Sequence, residues 1–184
     1  MKPWLAALAV PVLLAVFSEA PQQDPASRPS PPKPRAEDVA TPEAAVAALY
    51  DVISGPAGAK RDWDRFRSLF RPDARMAALR PAKDGVSATV DMTPEQYVAR
   101  SGAWLEKNGF FERSVADKVE IFGDLAHVWS TYESRKTAED KAPFARGINS
   151  IQLLKVGGAW AVQSIAWGEE RADLPIPAKY LPVK

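Results

Sequence analysis

The stretch LLKVGGAWAV, from Leu153 to Val162, decides the fold because it has the pattern of two β-strands joined by a tight turn. Gly157 and Gly158 separate two apolar runs, and primed two-residue hairpin turns need the positive φ that glycine adopts at little cost. Both faces of this hairpin are largely apolar, so we expect helices, a partner subunit or a cavity to cover each of them. Counting outward from the turn predicts the cross-strand pairs Val156–Ala159, Leu154–Ala161, Gln152–Gln163, Ser150–Ile165 and Ile148–Trp167.

Two further strands precede the hairpin and complete an antiparallel meander of four strands that ends at Trp167. Residues 115–122 and 125–136 are rich in β-branched and aromatic side chains, and Gly123-Asp124 between them predicts a turn. A charged loop, residues 137–141, then leads to the hairpin. The C-terminal half of the chain is therefore predicted to be a β-sheet.

Three helices are predicted before the meander. Thr41-Pro42-Glu43 supplies an N-cap oxygen, a proline at the first helical position and an acidic first turn. A shorter helix is expected to begin near Asp62. The start signal recurs at Thr93-Pro94-Glu95-Gln96, where Gln96 completes a capping box, and this helix is expected to end at Asn108-Gly109. Short strands are predicted at residues 75–79 and 86–91, so the fold class is α+β.

Three segments resemble the NTF2-like superfamily, which includes nuclear transport factor 2, ketosteroid isomerase, scytalone dehydratase and the SnoaL-related polyketide cyclases. They are Ser68–Met76, Gly123–Trp129 and Gln152–Trp167. The resemblance as a whole extends from Thr41 to Glu169. The resemblance implies a cone, in which a curved antiparallel sheet of four main strands plus short N-terminal strands packs on three N-terminal helices. It also implies a cavity open at one end of the cone.

The resemblance implies that catalytic members carry an acid or base on the first strand after the Pro-Asp-Ala segment. In this chain that strand, Arg75–Leu79, has neither a carboxylate nor a histidine, so the usual isomerase base is not expected. His127 is the remaining weak catalytic candidate, because histidine alone titrates near neutral pH. Glu133, on the same strand face, lies roughly 20 Å away and cannot orient it. A structural histidine in the sheet is the favoured interpretation.

Several residues are candidates to line the cavity. Arg75 could bind an anionic ligand, although pairing with Asp73 or exposure to water is the simpler expectation. Gln152 and Gln163 are predicted to face each other, either in a pocket or in a two-fold subunit interface. The aromatic candidates for the cavity wall, any of which could instead be ordinary core, are Tyr50, Trp63, Trp104, Trp129 and Trp167.

Composition excludes several classes of function. The 184 residues include 24 Lys and Arg against 23 Asp and Glu, a balance that gives no basic surface for nucleic acid. There is no cysteine, which excludes thiol catalysis and thiolate metal sites, and only one histidine. The sequence therefore predicts no metal, no cofactor and no nucleic-acid partner.

The chain is predicted to have four parts. Residues 1–20 resemble a signal peptide, because the apolar run Trp4–Phe17 is too short to span a membrane and small residues follow at Ser18 and Ala20, the two candidate cleavage positions. Residues 21–40 form a proline-rich, disordered linker. Residues 41–170 form the NTF2-like domain, and residues 171–184 form a surface tail. The mature protein is therefore expected to be periplasmic or secreted, with no membrane attachment after cleavage.

The expected function is binding of a small, mainly apolar ligand in the cone without the usual isomerase base. Sterol-like and polyketide-like compounds are the expected class. One alternative is an isomerase, dehydratase or cyclase that uses His127 and Arg75. Another is a protein-interaction module, such as a homodimer, that docks through the outer face of the sheet.

Overall fold

The computed structural model describes residues 32–81 and 87–182. The predicted signal peptide and most of the predicted linker lie outside the described residues. Within the described residues, no helix is long and apolar enough to cross a membrane.

Three α-helices form where the sequence predicts them: α1 at Pro42–Ile53, α2 at Trp63–Ser68 and α3 at Pro94–Asn108. The predicted caps are confirmed. The Thr41 hydroxyl accepts a hydrogen bond from the Ala44 amide, and Thr93 and Gln96 form the reciprocal capping box. These local signals fix where each helix starts.

The strands form one sheet with the order β2-β1-β6-β5-β4-β3. Their bounds are β1 Phe70–Pro81, β2 Ser87–Met92, β3 Phe111–Phe122, β4 Leu125–Arg135, β5 Ala145–Val156 and β6 Ala159–Glu169. The predicted α+β class and the antiparallel meander are confirmed. Two details differ from the prediction, because β1 has 12 residues and pairs with β6 in parallel, which makes the sheet mixed.

The hairpin turn is confirmed, since φ is 61° at Gly157 and 85° at Gly158. Near the turn Val156 is opposite Ala159 and Leu154 is opposite Ala161, as predicted. Beyond the Leu153–Val162 pair the register shifts, and Gln163 is the extra residue of a β-bulge. The predicted pairs Gln152–Gln163, Ser150–Ile165 and Ile148–Trp167 are therefore wrong. The observed partners are Gln152–Ser164, Ile151–Ile165, Ser150–Ala166 and Asn149–Trp167.

A second bulge interrupts the pairing of β3 with β4. Ala116 is opposite Thr131, but Ser114 is opposite Tyr132, so Val115 has no partner of its own. Residues of β3 before Val115 are displaced by one position relative to regular counting from the Gly123 turn. This displacement sets which side chains of early β3 point into the fold.

The helices cover one face of the sheet, the inner face, and form the core with it. Val128, Ile151, Leu153 and Val162 are fully buried there, beneath helix residues such as Val46. Trp160, next to the turn, is buried as predicted. The alternate residues of the same strands point to the opposite, outer face of the sheet.

Both ends of the domain add contacts that the sequence did not predict. Asp38 and Val39, placed by the prediction in the disordered linker, are buried, and Asp38 pairs with Arg65 of α2. At the other end, residues 171–182 lie on the outer face. There the Thr131 hydroxyl donates a 2.6 Å hydrogen bond to the Tyr180 carbonyl. Asp38, Val39 and Tyr180 therefore pack against the helices and the sheet.

Candidate functional site

A cavity of about 310 Å³ lies between the helices and the inner face of the sheet. The three α-helices form one side of it, and β1, β3, β5 and β6 form the other. Its lining is mainly apolar and consists of Leu49, Tyr50, Ile53, Phe66, Met76, Arg80, Tyr97, Ser101, Trp104, Leu105, Phe110, Glu112, Phe144, Asn149, Ile165, Trp167 and Glu169. We call this space the cone cavity.

Aromatic rings in mutual contact make up much of the wall. The ring of Tyr97 stacks on Phe66 with centroids 5.5 Å apart and meets Trp167 edge-on at 6.5 Å. Phe110 contacts Trp104 at 6.4 Å and Phe144 at 6.2 Å. Contacts of this kind hold the rings in fixed orientations, so the wall presents a preformed apolar surface.

Tyr50 and Asn149 provide hydrogen-bonding groups in this wall. The Asn149 side-chain amide donates to the Tyr50 hydroxyl at 2.9 Å, and that hydroxyl is 2.7 Å from the hydroxyl of Ser130. Burial raises the pKa of Tyr50 well above its usual value, despite the lowering effect of these two hydrogen bonds. The phenol therefore stays neutral and acts as a fixed hydrogen-bonding group.

Glu112, on β3, brings a carboxylate into the cone cavity. The Ser134 hydroxyl of β4 donates to its Oε2 at 2.7 Å. Burial raises the pKa of Glu112 to about 7, and the nearby charge of Glu169 adds to this effect while the Ser134 hydrogen bond opposes it. Glu112 therefore changes its charge near neutral pH.

Two oppositely charged residues contribute to the cavity lining at its exposed edge. Arg80 Nη1 and Glu169 Oε1 are 3.6 Å apart, and both side chains are more than half exposed. Because water screens such a pair, it contributes little to stability. Among the described charged residues of the lining, Glu112 therefore has no ion-pair partner.

A larger groove, of about 660 Å³, lies outside the cone between α1 and the edge strand β3. Tyr50 and Glu112 line both the groove and the cone cavity. The other groove walls carry exposed charged side chains, including Glu43, Asp51 and Arg113. The cone cavity is the better candidate for a small ligand because aromatic side chains line it.

Three of the sequence candidates, Tyr50, Trp104 and Trp167, line the cone cavity. Trp63 does not. It packs between α2 and α3, where its ring lies against Gly102 and its indole nitrogen donates to Glu106 at 3.0 Å. Trp63 is therefore part of the packing beneath the wall.

Arg75, Trp129, Gln152 and Gln163 are not in the cone cavity, and neither is His127. Arg75, Trp129, Gln152 and His127 alternate with buried residues of their strands and so point to the outer face, whereas Gln163 is the bulged residue. The Arg75 guanidinium donates to the carbonyls of Asp73 and Ala74. Trp129 lies against Tyr180 in a mainly apolar cleft between the sheet and the C-terminal segment.

His127 has partners on the neighbouring strands of the outer face. Its Nε2 is 3.2 Å from the Ser150 hydroxyl, and its Nδ1 is 3.7 Å from the Glu120 carboxylate. Both partners are distant from the cone cavity. The position of His127 therefore agrees with a structural histidine in the sheet.

Sequence reasoning missed Glu112, a carboxylate in the wall of the cone cavity whose pKa is raised by burial. The prediction began this strand at Val115, whereas β3 begins at Phe111. A carboxylate three residues after the Asn108-Gly109 helix stop was the available signal, but its orientation depends on the bulge at Val115. Among the described residues, no group of three or more acidic or histidine side chains is arranged to hold a metal ion.

Comparison with solved structures supports the fold. A protein of unknown function with a cystatin-like fold from Nostoc punctiforme superposes with a TM-score of 0.51 and 16% identity, over 71% of this chain and 89% of that one. At this identity the similarity concerns the fold alone.

Two NTF2-like proteins of unknown function are similar to a lower degree. The one from Shewanella baltica has a TM-score of 0.42 and 20% identity, over 72% of this chain and 98% of that one. The one from Silicibacter pomeroyi has a TM-score of 0.45 and 18% identity, over 71% and 99%. No family model matches the sequence, and no curated protein matches it.

Proposed function

We propose that this chain, which has an NTF2-like α+β fold, binds a small and mainly apolar molecule in the cone cavity. The supporting observation is the cavity itself, a space of about 310 Å³ whose wall is largely aromatic and aliphatic and whose polar groups are few. Ligand sites commonly have this composition, and this volume is at the lower end of their range. A compact ligand is therefore favoured.

The polar groups of the cavity would orient such a ligand. Tyr50 and Asn149 are held by their mutual hydrogen bond, and Glu112 is held by Ser134. Preformed groups of this kind lower the entropic cost of binding because they need not be ordered when the ligand arrives. Arg75 has no part in this proposal, since it points to the outer face.

Ligand binding can be tested with a panel of flat apolar compounds, including sterol-like and polyketide-like ones. A ligand that binds only the native state raises the melting temperature in proportion to the logarithm of its concentration. Trp104 and Trp167 line the cavity, so their fluorescence should change as well. No shift with any compound, together with a melting temperature that rises with protein concentration, would favour an interaction module on the outer face.

A matched pair of variants on α3 locates the site. Ser101 lines the cone cavity, whereas Ala103 is exposed on the same helix and lies outside the lining. Ser101→Phe should fill the cavity and abolish binding, and Ala103→Phe should leave binding unchanged. Equal binding by both variants would place the ligand elsewhere.

Export is a separate part of the proposal and rests on the sequence of residues 1–20. The short apolar run Trp4–Phe17 and the small residues Ser18 and Ala20 support a cleaved signal peptide. The intact mass of the exported protein should correspond to a chain that begins at Glu19 or Pro21. A mature protein that retains residues 1–17 would contradict this part alone.

Proton transfer is a second candidate function, favoured by the raised pKa of Glu112. A general base is most effective when its pKa lies near the working pH, and the pKa of Glu112 is about 7. The expected activity is exchange of acidic C–H protons on a bound cyclic ketone such as indanone, followed by NMR in D₂O. Glu112→Gln should abolish this exchange while the ketone still binds, and exchange that persists in the variant would exclude Glu112 as the base.

A further inference from the structure

We propose that the cone cavity selects ligands that carry a protonated amine on an apolar body, with the ammonium group held by Glu112. This inference rests on the proposed binding function and adds the chemical class of the ligand. It differs from the expectation based on Arg75, which would have favoured anions.

The charges of the lining support a cationic ligand. Its acidic and basic residues are Glu112, Glu169 and Arg80, and the single basic residue among them is paired with Glu169 at an exposed edge. Glu112 is therefore left without a cationic partner in the described part of the chain. A buried carboxylate is costly unless it is paired, and a ligand cation would supply the missing charge.

The hydrogen bonds of Glu112 also support a cationic ligand. Ser134 donates to Oε2, and Oε1 accepts no hydrogen bond from residues 32–81 or 87–182. Among the described residues, the fully buried side-chain nitrogen and oxygen atoms that lack a hydrogen bond are Arg71 Nε and Trp129 Nε1. Glu112 Oε1 also lacks a hydrogen bond but is not fully buried, so it is accessible from the spaces that Glu112 lines. An ammonium group has three donors and no acceptor, which suits a free carboxylate oxygen.

The aromatic wall would accommodate both parts of such a ligand. The faces of Phe, Tyr and Trp rings attract cations, and Tyr97, Phe110 and Trp167 are within the lining that includes Glu112. The same rings bury apolar surface of the ligand body. An anion would meet the Glu112 carboxylate without a compensating positive group inside the cavity.

The affinity for amines should depend on pH through Glu112. The groups that interact with it are Tyr50 of α1, Tyr97 of α3, Ser134 and Tyr132 of β4 and Glu169 of β6, with Arg80 of β1 beside Glu169. Burial raises the pKa of each of the three tyrosines, so they stay neutral. Glu112 gains its charge near pH 7, whereas an alkyl amine stays protonated to about pH 10.

The test uses three compounds with the same ring system: naphthylmethylamine, naphthylmethanol and naphthoate. Binding is measured by calorimetry on the mature protein at about pH 5.5 and about pH 8. At pH 8 the amine should bind about tenfold more tightly than the alcohol, and the carboxylate should bind most weakly. Between the two pH values the affinity for the amine should rise about tenfold, as expected when a cation lowers the pKa of its partner by one unit. The affinity for the alcohol should stay nearly constant.

Glu112→Gln should remove the preference for the amine and its pH dependence while the alcohol still binds. Glu120→Gln is the matched control, because Glu120 is an exposed carboxylate on the outer face. Circular dichroism melting establishes that both variants are folded. If Glu112→Gln does not fold, Ser134→Ala serves instead and should shift the pH midpoint of amine binding upward.

The outcomes separate this inference from the function on which it rests. Equal affinity for amine and alcohol at pH 8, or tightest binding of naphthoate, overturns the ligand class while the binding function stands. An amine preference that survives in Glu112→Gln overturns the role of Glu112. If none of the three compounds binds, and none of the flat apolar compounds in the wider panel binds either, the binding function and this inference are both overturned.

Discussion

Ser134 donates its hydroxyl hydrogen to Oε2 of Glu112 across two neighbouring strands, at a distance of 2.7 Å. This bond favours the ionised carboxylate, whereas burial favours the neutral acid, and burial has the larger effect. The pKa of about 7 therefore results from two opposing effects: burial raises it, and the hydrogen bond from Ser134 lowers it. Changing the donor should move that balance.

Ser134→Ala should raise the pKa of Glu112 above its wild-type value, because the ionised form loses its hydrogen-bond donor. The side-chain carboxyl ¹³C shift of Glu112, followed by NMR titration, measures this directly. Ser164→Ala, on β6, is a control that should leave the pKa unchanged. A pKa that stays the same in Ser134→Ala would show that the hydrogen bond does not form in solution.

Glu112→Gln should stabilise the protein at high pH and have little effect at low pH. The pKa is raised from 4.5 to about 7 in the folded state, so the folded chain holds this proton when the unfolded chain has lost it. The stability linked to this group is full below pH 4.5 and is lost as the pH rises to 7, by about 3 kcal/mol. Urea unfolding at several pH values should therefore show a growing advantage for the variant. A difference independent of pH would contradict a carboxyl group that titrates in the cavity.

Trp160→Ala should reduce the free energy of unfolding by about 3–5 kcal/mol, as loss of a large core side chain does. Trp160 is 5% exposed next to the Gly157-Gly158 turn. Trp104, which is 51% exposed, is the comparison, and Trp104→Ala should cost clearly less. Chemical denaturation midpoints test both, and equal losses would mean that Trp160 is not packed in the core.

Asp38→Asn should destabilise the domain by about 3 kcal/mol, because it leaves a half-buried arginine without its main partner. Asp38 is 5% exposed, and both of its oxygens accept hydrogen bonds from Arg65 at 2.8 Å. Asp64→Asn is the control, since the pair of Asp64 with Arg67 is at the surface and should contribute less than about 1 kcal/mol. If the two variants lose the same free energy of unfolding, Asp38 is not packed against the domain and belongs to the disordered linker.

Local signals in the sequence predicted the parts of the fold that depend on local chemistry. Thr41 and Thr93 cap helices because their hydroxyls reach amides three residues ahead, and Gly157 forms the turn because it tolerates positive φ. Asp38 contacts Arg65 and Tyr180 contacts Thr131, which are distant in sequence, so no local sequence pattern predicts these contacts. The linker was therefore predicted to be disordered although Asp38 is buried, and the surface tail was predicted without its contact between Tyr180 and Thr131.

The candidate site was harder to predict because it depends on two bulges. Regular counting from the Gly123 turn would place Glu112 opposite Arg135, on the outer face, whereas it is opposite Ser134 on the inner face. Regular counting from the Gly157 turn would likewise turn Trp167 outward. A bulge adds one residue to a strand and has no fixed sequence pattern. Regular counting therefore paired Gln163 with Gln152, and it gave no reason to expect Glu112 on the inner face.

Side-chain orientation along a strand behaves like a reading frame with two phases, and the bulges at Val115 and Gln163 each shift that frame by one residue. Deleting the bulged residue itself would straighten the strand and keep Glu112 or Trp167 inward. Deleting a residue within the regular part of the strand would turn the side chains of the rest of that strand to the opposite face of the sheet. For this sheet, the position of a single-residue deletion matters more than the chemistry of the residue that is lost.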